Sequence, residues 1–554
     1  MKLLSTRKTV LIVLVVALCS FALGAFGESK VQRTQADVYH DLEIFASILE
    51  KIQSYYVDDV DSHELMQKAI AGMLEDLDPH TQFLDGLDYE DLMVSTKGQF
   101  GGLGIYISFR DNYPTVIRPM DDTPGDRAGL RAGDRIVEIE GNATEGWRTD
   151  KAVGFLRGEP GSPVTFRVER PGRDDLMDFT IVREIINVKS VPYSGMFDDD
   201  TGYIKVNSFA KRTGDEIREA LEGLEAQGMK GLVLDFRSNP GGLLQSATEI
   251  SEMFLGKDKL LVYTKGRMPN SSRKYYSGNR KTHGGYPIVI LINGHSASAS
   301  EIFAGAMQDW DQALVVGQTS FGKGTVQTVF NLSETEAIKL TTAKYYTPSG
   351  RSIHKDRRRD TEEADDEEPL PEETNDGGVD STPEMNDLET NDNAEVPAED
   401  AEIYYTASGR IVYGGGGITP DLVMAPEYYT DLQRRLEANA FAFSFAVDAF
   451  GDREVSEEFE TSDDVLDEFY AYIEGKEFEY TEEELTEENV DYIRTMIARE
   501  VVNNKYGRKA MYRVLLQSDK EFQKVLSMMK EAPTLQELFV YAEEQKAIKK
   551  ASND

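Results

Sequence analysis

Residues 294–327 read GHSASASEIFAGAMQDWDQALVVGQTSFGKGTVQ, and this stretch decides both fold class and chemistry. Ahead of it, Pro287-Ile288-Val289-Ile290-Leu291-Ile292 is an apolar run closed by Asn293-Gly294, the pattern of a buried strand. Small residues follow and Glu301–Met307 begins an amphipathic helix, so Ser298 is expected where a strand turns into a helix N-terminus. Backbone N–H groups there are unpaired and the local dipole is positive, which suits a developing oxyanion. A second strand-like run, Ala313–Gly317, leads into a glycine-rich loop that presents Lys323, with Gln327 beyond it. An amine serves as a base near neutral pH only where burial lowers its pKa, and the sparsely charged surroundings of Lys323 permit that. Taken one at a time, Ser296, Ser298 and Ser300 are ordinary helix-capping serines, and Gly322-Lys323-Gly324 is an ordinary turn. Together these residues set a hydroxyl, an amine and a side-chain amide within one strand–helix–strand unit.

As a pair, SASASE (296–301) and FGKGTVQ (321–327) resemble the signature of the carboxyl-terminal processing, or tail-specific, serine peptidases. The resemblance runs from around residue 38 to around residue 425. It implies that Ser298 is the nucleophile, Lys323 its base and Gln327 the residue that orients the lysine. The loop Arg237-Ser238-Asn239-Pro240-Gly241-Gly242 follows the strand-like run Gly231–Phe236 and resembles the family's Asp-x-Arg-x-Asn-x-Gly-Gly segment. That implies an oxyanion site formed by the amide of Ala299 and that of Gly241 or Gly242. Glu301 has two readings, assistance to the hydroxyl or satisfaction of helix-end amides, and the second is the general expectation at a helix start.

Outward from this unit the chain divides by pattern. Residues 36–98 read as a helical N-terminal region, with Leu42, Phe45, Leu49 and Ile52 at helical spacing and His80 as a structural polar contact. Residues 99–185 carry Gly102-Leu103-Gly104-Ile105 and, in register behind it, AGLRAGDRIVEIEG (128–141), and so resemble a PDZ domain. The resemblance implies that the N–H groups of Leu103, Gly104 and Ile105 capture a peptide C-terminus, with Asp150–Leu156 as the helix along the groove. Residues 186–355 and 403–425 read as an α/β peptidase core, because strands alternating with helices give a mostly parallel sheet. Between them lies 356–402, acidic from Asp360 to Glu402 with no Lys or Arg, and expected to be a disordered surface insert. Residues 426–554 read as a helical C-terminal region in which Met496, Met511, Met528, Met529 and Phe539 form core or a subunit contact.

The net charge of −39 argues against nucleic acid and anionic membrane as partners. A basic start and the apolar run Val10–Phe26 make 1–27 a signal peptide or membrane anchor, which predicts a periplasmic location or the outer face of the inner membrane. The only cysteine, Cys19, lies in that segment, so the body has no disulfide and no Cys/His metal cluster. The expectation is a multidomain α/β chain with helical N- and C-terminal regions and a PDZ domain. Its function would be that of an exported serine endopeptidase acting on protein or peptide tails with a free C-terminus, through a Ser–Lys dyad and without cofactor or metal. Membrane anchoring by the N-terminal segment and homo-oligomer formation through the C-terminal helices stay open. Two alternatives stand beside this reading. A catalytically silent PDZ scaffold is opposed by intact Ser298, Lys323 and Gln327. A trypsin-like PDZ peptidase needs a Gly-x-Ser-Gly motif and an upstream His in a β-barrel, and the sequence lacks that motif.

Overall fold

The computed structural model describes residues 35–278, 283–355 and 401–553. The expected signal or anchor at 1–27 and all but the end of the acidic insert therefore lie outside the described residues. The chain forms two compact units, 1–82 and 83–554. In the first, helix α1 (Gln35–Tyr55) is followed by α2 (Ser62–Glu75), whose N-cap Asp61 accepts a hydrogen bond from His63 N–H at 2.8 Å. Such a cap satisfies one of the donors a helix start leaves open.

The second unit opens with α3 (Gly86–Lys97). An antiparallel sheet follows, built from β1 (Ile105–Arg110), β2 (Tyr113–Pro119), β3 (Arg135–Ile139), β4 (Pro163–Glu169) and β5 (Met177–Val182). Helix α4 (Thr149–Leu156) lies between β3 and β4 in sequence. Alternate residues Val164, Phe166 and Val168 are buried with Ile136, Ile139 and Ala152 in a small core, as the period of two in a one-sided sheet requires. The strands run in the order β1-β2-β3-β4-β5, which leaves β1 at one edge.

The larger sheet joins β6 (Tyr193–Met196), β7 (Thr201–Lys205), β8 (Gly231–Asp235), β10 (Ile288–Ile292), β11 (Leu314–Gly317) and β14 (Leu422–Val423), in that order. Five of these strands are parallel and only the β6–β7 pair is antiparallel. All five residues of GLVLD and of IVILI are buried, the continuous apolar run of a strand covered on both faces. The crossovers are α5 (Thr213–Ala226), α6 (Leu244–Phe254) and α7 (Ala299–Asp309). From β7 to β11 the strands are laid down in one direction. Right-handed crossovers then all fall on one face. Leu221, Ile250 and Phe303 of the three helices accordingly share one core with Leu232, Leu234, Ile290 and Val315.

The opposite face, with Val233, Val289, Leu291 and Val316, needs a separate cover, and the C-terminal helices supply it. After α8 (Asp431–Ala438), α9 (Phe441–Phe450), α10 (Asp463–Gly475) and α11 (Glu487–Tyr506) come α12 (Arg508–Ser518), α13 (Lys520–Glu531) and α14 (Leu535–Asn553). Leu516, Phe522, Val525, Met528, Met529 and Leu538 pack on that face, and Phe539 lies against the same core. Met496 is buried in a second helical core with Phe445, Phe469 and Ile497.

Two further strands beside the main sheet, β12 (Thr325–Asn331) and β13 (Glu336–Tyr346), form a hairpin whose second strand pairs with β9 (Leu260–Gly266). The sequence on either side of the insert turns out to repeat: YYTPSGRSI at 345–353 and YYTASGRIV at 404–412. Each repeat makes the same turn on an aspartate at the end of α7. Ser349 N–H donates to Asp309 at 2.8 Å and Arg351 pairs with it at 2.8 Å. Ser408 N–H donates to Asp311 at 2.6 Å and Arg410 pairs with it at 2.7 Å. The carbonyls of Glu402 and Ser352 accept from the consecutive amides of Gly414 and Gly415, at 3.0 and 2.7 Å. Both flanks of the insert are thus fastened at one spot on the core.

Candidate active site

Ser298 closes the turn after β10 and is the N-cap of α7, with φ 54° and ψ −109°. A side chain at positive φ outside glycine costs on the order of 1–3 kcal/mol and persists only when its surroundings over-determine it. Those surroundings are explicit. Ser298 N–H donates to Glu301 Oε2 at 2.7 Å, Ser298 O accepts from Ile302 N–H at 2.9 Å, and the Tyr345 hydroxyl donates to Ser298 O at 3.1 Å. On either side, the Ser296 hydroxyl donates to Phe236 O at 2.8 Å and the Ser300 hydroxyl to Asn239 O at 3.0 Å. The flanking serines therefore tie the turn to the 236–242 loop, while Ser298 sits between them.

That loop presses on Ser298 from the other side. Gly241 has φ +100°, and a Cβ there would lie 2.8 Å from Ser298 Cβ and 2.7 Å from Ala297 O, so no larger residue fits. Gly241 N–H already donates to Asn239 Oδ1 at 2.9 Å. Arg237 anchors the loop root: its guanidinium meets Asp235 at 2.5 Å, Asp519 at 2.6 Å and Glu521 at 3.0 Å, while Lys205 donates to Arg237 O at 2.6 Å. Burial would raise the Asp235 carboxyl, but Arg237 and Lys205 hold it well below the usual carboxylate range. Asp519 and Glu521 stand at the start of α13, so the C-terminal helices grip the loop that borders Ser298. No sequence pattern announced this contact, because the partners are 282 residues apart.

The Lys323 loop approaches from β11. Phe321 N–H donates to Ser296 O at 3.1 Å and Lys355 N–H to Gly322 O at 3.0 Å. Glu301, 1 % exposed, joins this loop to the serine turn: it accepts from the Ser320 hydroxyl at 2.6 Å, Gly322 N–H at 2.7 Å and Lys323 N–H at 3.0 Å. Its part exceeds the helix-end role expected from sequence. Burial raises the Glu301 carboxyl to about 7, against the lowering pull of the Ser320 hydroxyl and the three amides. Gln327 lies on β12, where its amide nitrogen donates to the hydroxyls of Thr325 at 2.9 Å and Thr341 at 3.3 Å. Ser298, Ala299, Gly241, Gly242 and Lys323 are brought into one loop cluster at the ends of the parallel strands, where open α/β sheets place their sites.

A second candidate site lies on the smaller sheet. Phe100, Leu103, Gly104, Ile105, Val153 and Arg157 line a groove between β1 and α4. Gly104 has φ +71°, and a Cβ there would come within 2.4 Å of Thr123. Its carbonyl accepts from Met120 N–H at 2.8 Å and from the Thr123 hydroxyl at 2.9 Å, which turns the loop. No sequence motif marks Arg157, which follows α4 directly. It is 8 % exposed, its Nη1 donates to Asp91 at 2.5 Å, and its plane rests 5.0 Å from the Phe100 ring. Nη2 is buried with no hydrogen-bond partner among the described residues.

Comparison with known proteins settles the class. A carboxy-terminal-processing protease of Bartonella bacilliformis is 41 % identical over 338 residues, 60 % of this chain and 77 % of that protein. The chain belongs to the carboxy-terminal processing proteases. As a member of this family it is a serine-type peptidase with a PDZ domain, which removes the trypsin-like fold as a reading. The profile of Peptidase family S41 matches residues 200–362, that of the PDZ domain 115–170, and that of the activating protease CtpB N-terminal domain 24–86. The carboxy-terminal processing protease CtpB of Bacillus subtilis is 36 % identical over 326 residues, 58 % of this chain and 68 % of that one. Among solved structures, a photosystem II D1 C-terminal processing protease shares 28 % identity over 56 % of this chain and 90 % of its own, with a TM-score of 0.32.

Proposed function

We propose that this protease is an exported endopeptidase that captures the free C-terminus of a protein substrate in its PDZ groove and hydrolyses an upstream bond with Ser298 and Lys323. The observation that carries the reading is the joining of the two loops: one carboxylate oxygen, Glu301 Oε2, accepts the backbone N–H of both Ser298 and Lys323, at 2.7 and 3.0 Å. Neutral Lys323 takes the proton of Ser298 as its Oγ attacks the scissile carbonyl, then returns it to the leaving amine. Gln327 helps to orient the amine. The tetrahedral oxygen lies at the start of α7, against the Ala299 amide. Since Gly241 N–H is engaged by Asn239, Gly242 is the second donor of choice.

In the groove, the edge strand β1 accepts an extended peptide by strand addition, and the amides of Leu103, Gly104 and Ile105 meet its terminal carboxylate. Arg157 Nη2, without a partner among the described residues, adds a charge-assisted donor that a C-terminal amide would use poorly. Export rests on the 1–27 segment, and cell fractionation with N-terminal sequencing of the mature protein tests it. For the chemistry, a fluorophosphonate probe should label the wild type and leave Ser298→Ala unlabelled and inactive. Labelling elsewhere with activity retained would end the proposal. Peptides differing only in a free or amidated C-terminus test the groove: equal KM values would remove carboxylate capture.

A further inference from the structure

The Ser–Lys reading names the reacting groups but leaves open what keeps two loops from separate crossovers in register. Ser298 follows β10 and Lys323 follows β11, and a serine at positive φ gains from any relaxation of its turn. Two buried side chains oppose that relaxation, and both bind the main chain of the same two residues, one on the N–H side and one on the carbonyl side. Glu301 Oε2 accepts the N–H of Ser298 and the N–H of Lys323. Its other oxygen accepts the Ser320 hydroxyl and Gly322 N–H. From β13, the Tyr345 hydroxyl shares its proton between the carbonyl of Ser298 and the carbonyl of Lys323. Tyr345 is 1 % exposed. The donor and the acceptor of each residue's main chain are thus bound through one atom to the matching group of the other.

We infer that Glu301 and Tyr345 are a pair of positioning residues, an acceptor clasp and a donor clasp, that fix the backbone of Ser298 relative to Lys323 for proton transfer. Both side chains act here through main-chain groups, and the inference rests on the Ser298–Lys323 reading. The two oxygens of Glu301 differ in what they hold, which predicts a graded response. A glutamine in its place can keep its oxygen on the Ser298 and Lys323 amides and turn its NH2 toward Ser320, whose hydroxyl can reverse; only Gly322 N–H then lacks an acceptor. An alanine releases all four donors. Tyr345→Phe keeps the ring and removes only the shared proton.

The test uses the full chain with an internally quenched peptide ending in a free apolar residue, and a fluorophosphonate for Ser298. Misplacing reacting groups by a fraction of an ångström to one ångström costs up to about a hundredfold. The expected result is a kcat lowered about tenfold in Tyr345→Phe and Glu301→Gln and about a hundredfold in Glu301→Ala, with KM within about twofold of wild type. Fluorophosphonate labelling should slow in the same order. Rates are expressed per folded molecule, counted by binding of an uncleaved C-terminal peptide to the PDZ groove, so that loss of fold is not read as loss of alignment. A purely structural role would leave kcat per folded molecule unchanged in all three variants, and that result overturns the inference. Turnover retained by Ser298→Ala or Lys323→Ala would instead overturn the dyad itself. If those two are inactive while Tyr345→Phe and Glu301→Gln keep the wild-type kcat, only the clasp falls.

Discussion

The loop cluster around Ser298 and the groove beside Arg157 belong to one compact unit yet are built on opposite terms. Around Ser298 the polar groups are spoken for: Glu301 accepts four donors, Arg237 bridges three carboxylates, and Gly241 gives its N–H to Asn239. Arg157, which lines the groove, has one buried guanidinium nitrogen with no hydrogen-bond partner among the described residues. A buried donor without an acceptor costs roughly 1–3 kcal/mol, which a ligand supplying the acceptor recovers. On the proposed reading, the loop cluster meets the substrate with groups already held, and the groove meets it with a donor that has a position to fill.

Substitutions can separate the two. Lys323→Arg should have the largest effect, lowering kcat by about three orders of magnitude or more, because a guanidinium does not release its proton at usable pH. Steady-state kinetics and fluorophosphonate labelling check this, and appreciable turnover would mean that Lys323 is not the base. Gly241→Ala should come next. Its methyl would overlap Ser298 Cβ at a φ few L-residues adopt, so kcat should fall by about a hundredfold with peptide binding unchanged. Arg157→Ala should do the reverse. Losing one charge-assisted bond of about 1.5–3 kcal/mol raises KM for a free-carboxylate peptide roughly tenfold to a hundredfold and leaves kcat alone. Were kcat to fall as well, the groove and the loop cluster would be coupled, and the contrast drawn between them would need revision.

Smaller effects sharpen the picture. Glu301 has its carboxyl raised from the usual 4.5 to about 7 because burial disfavours its charge. The folded state then holds this proton more tightly than the unfolded chain. Its contribution to stability is full below the unfolded value and is lost as pH rises through about 7, by on the order of 2–3 kcal/mol. Wild type should therefore lose more stability than Glu301→Gln between pH 5 and pH 8 in urea unfolding, and parallel losses would show that Glu301 does not titrate there. On the proposed reading, ionised Glu301 costs stability where it aligns the site, a trade-off found where function sets the side chain. The smallest effect should come from deleting residues 360–400. Glu402 and Ser352 fasten both flanks to adjacent glycines, so melting temperature and hydrolysis of neutral peptides should be nearly unchanged.

The sequence by itself determined the alternating core, the helix start at Ser298, the glycine loop carrying Lys323 and the GLGI turn of the PDZ domain. Each is a local matter: periodicity, a turn residue, or a motif whose members lie within a few positions of one another. It also pointed to Glu301, though only as a helix-end residue. Tertiary structure alone decided that Glu301 and Tyr345 reach the main chains of the same two residues, and that Arg157, paired with Asp91, lines the groove. It decided equally that α13 grips the Arg237 loop, since Arg237 and Asp519 meet only because a sheet extended in one direction leaves a face for the C-terminal helices to cover. A pattern within one segment is set by backbone geometry and burial along that segment. Which distant side chain completes a hydrogen bond depends on how separate segments pack, and no short-range spacing records it.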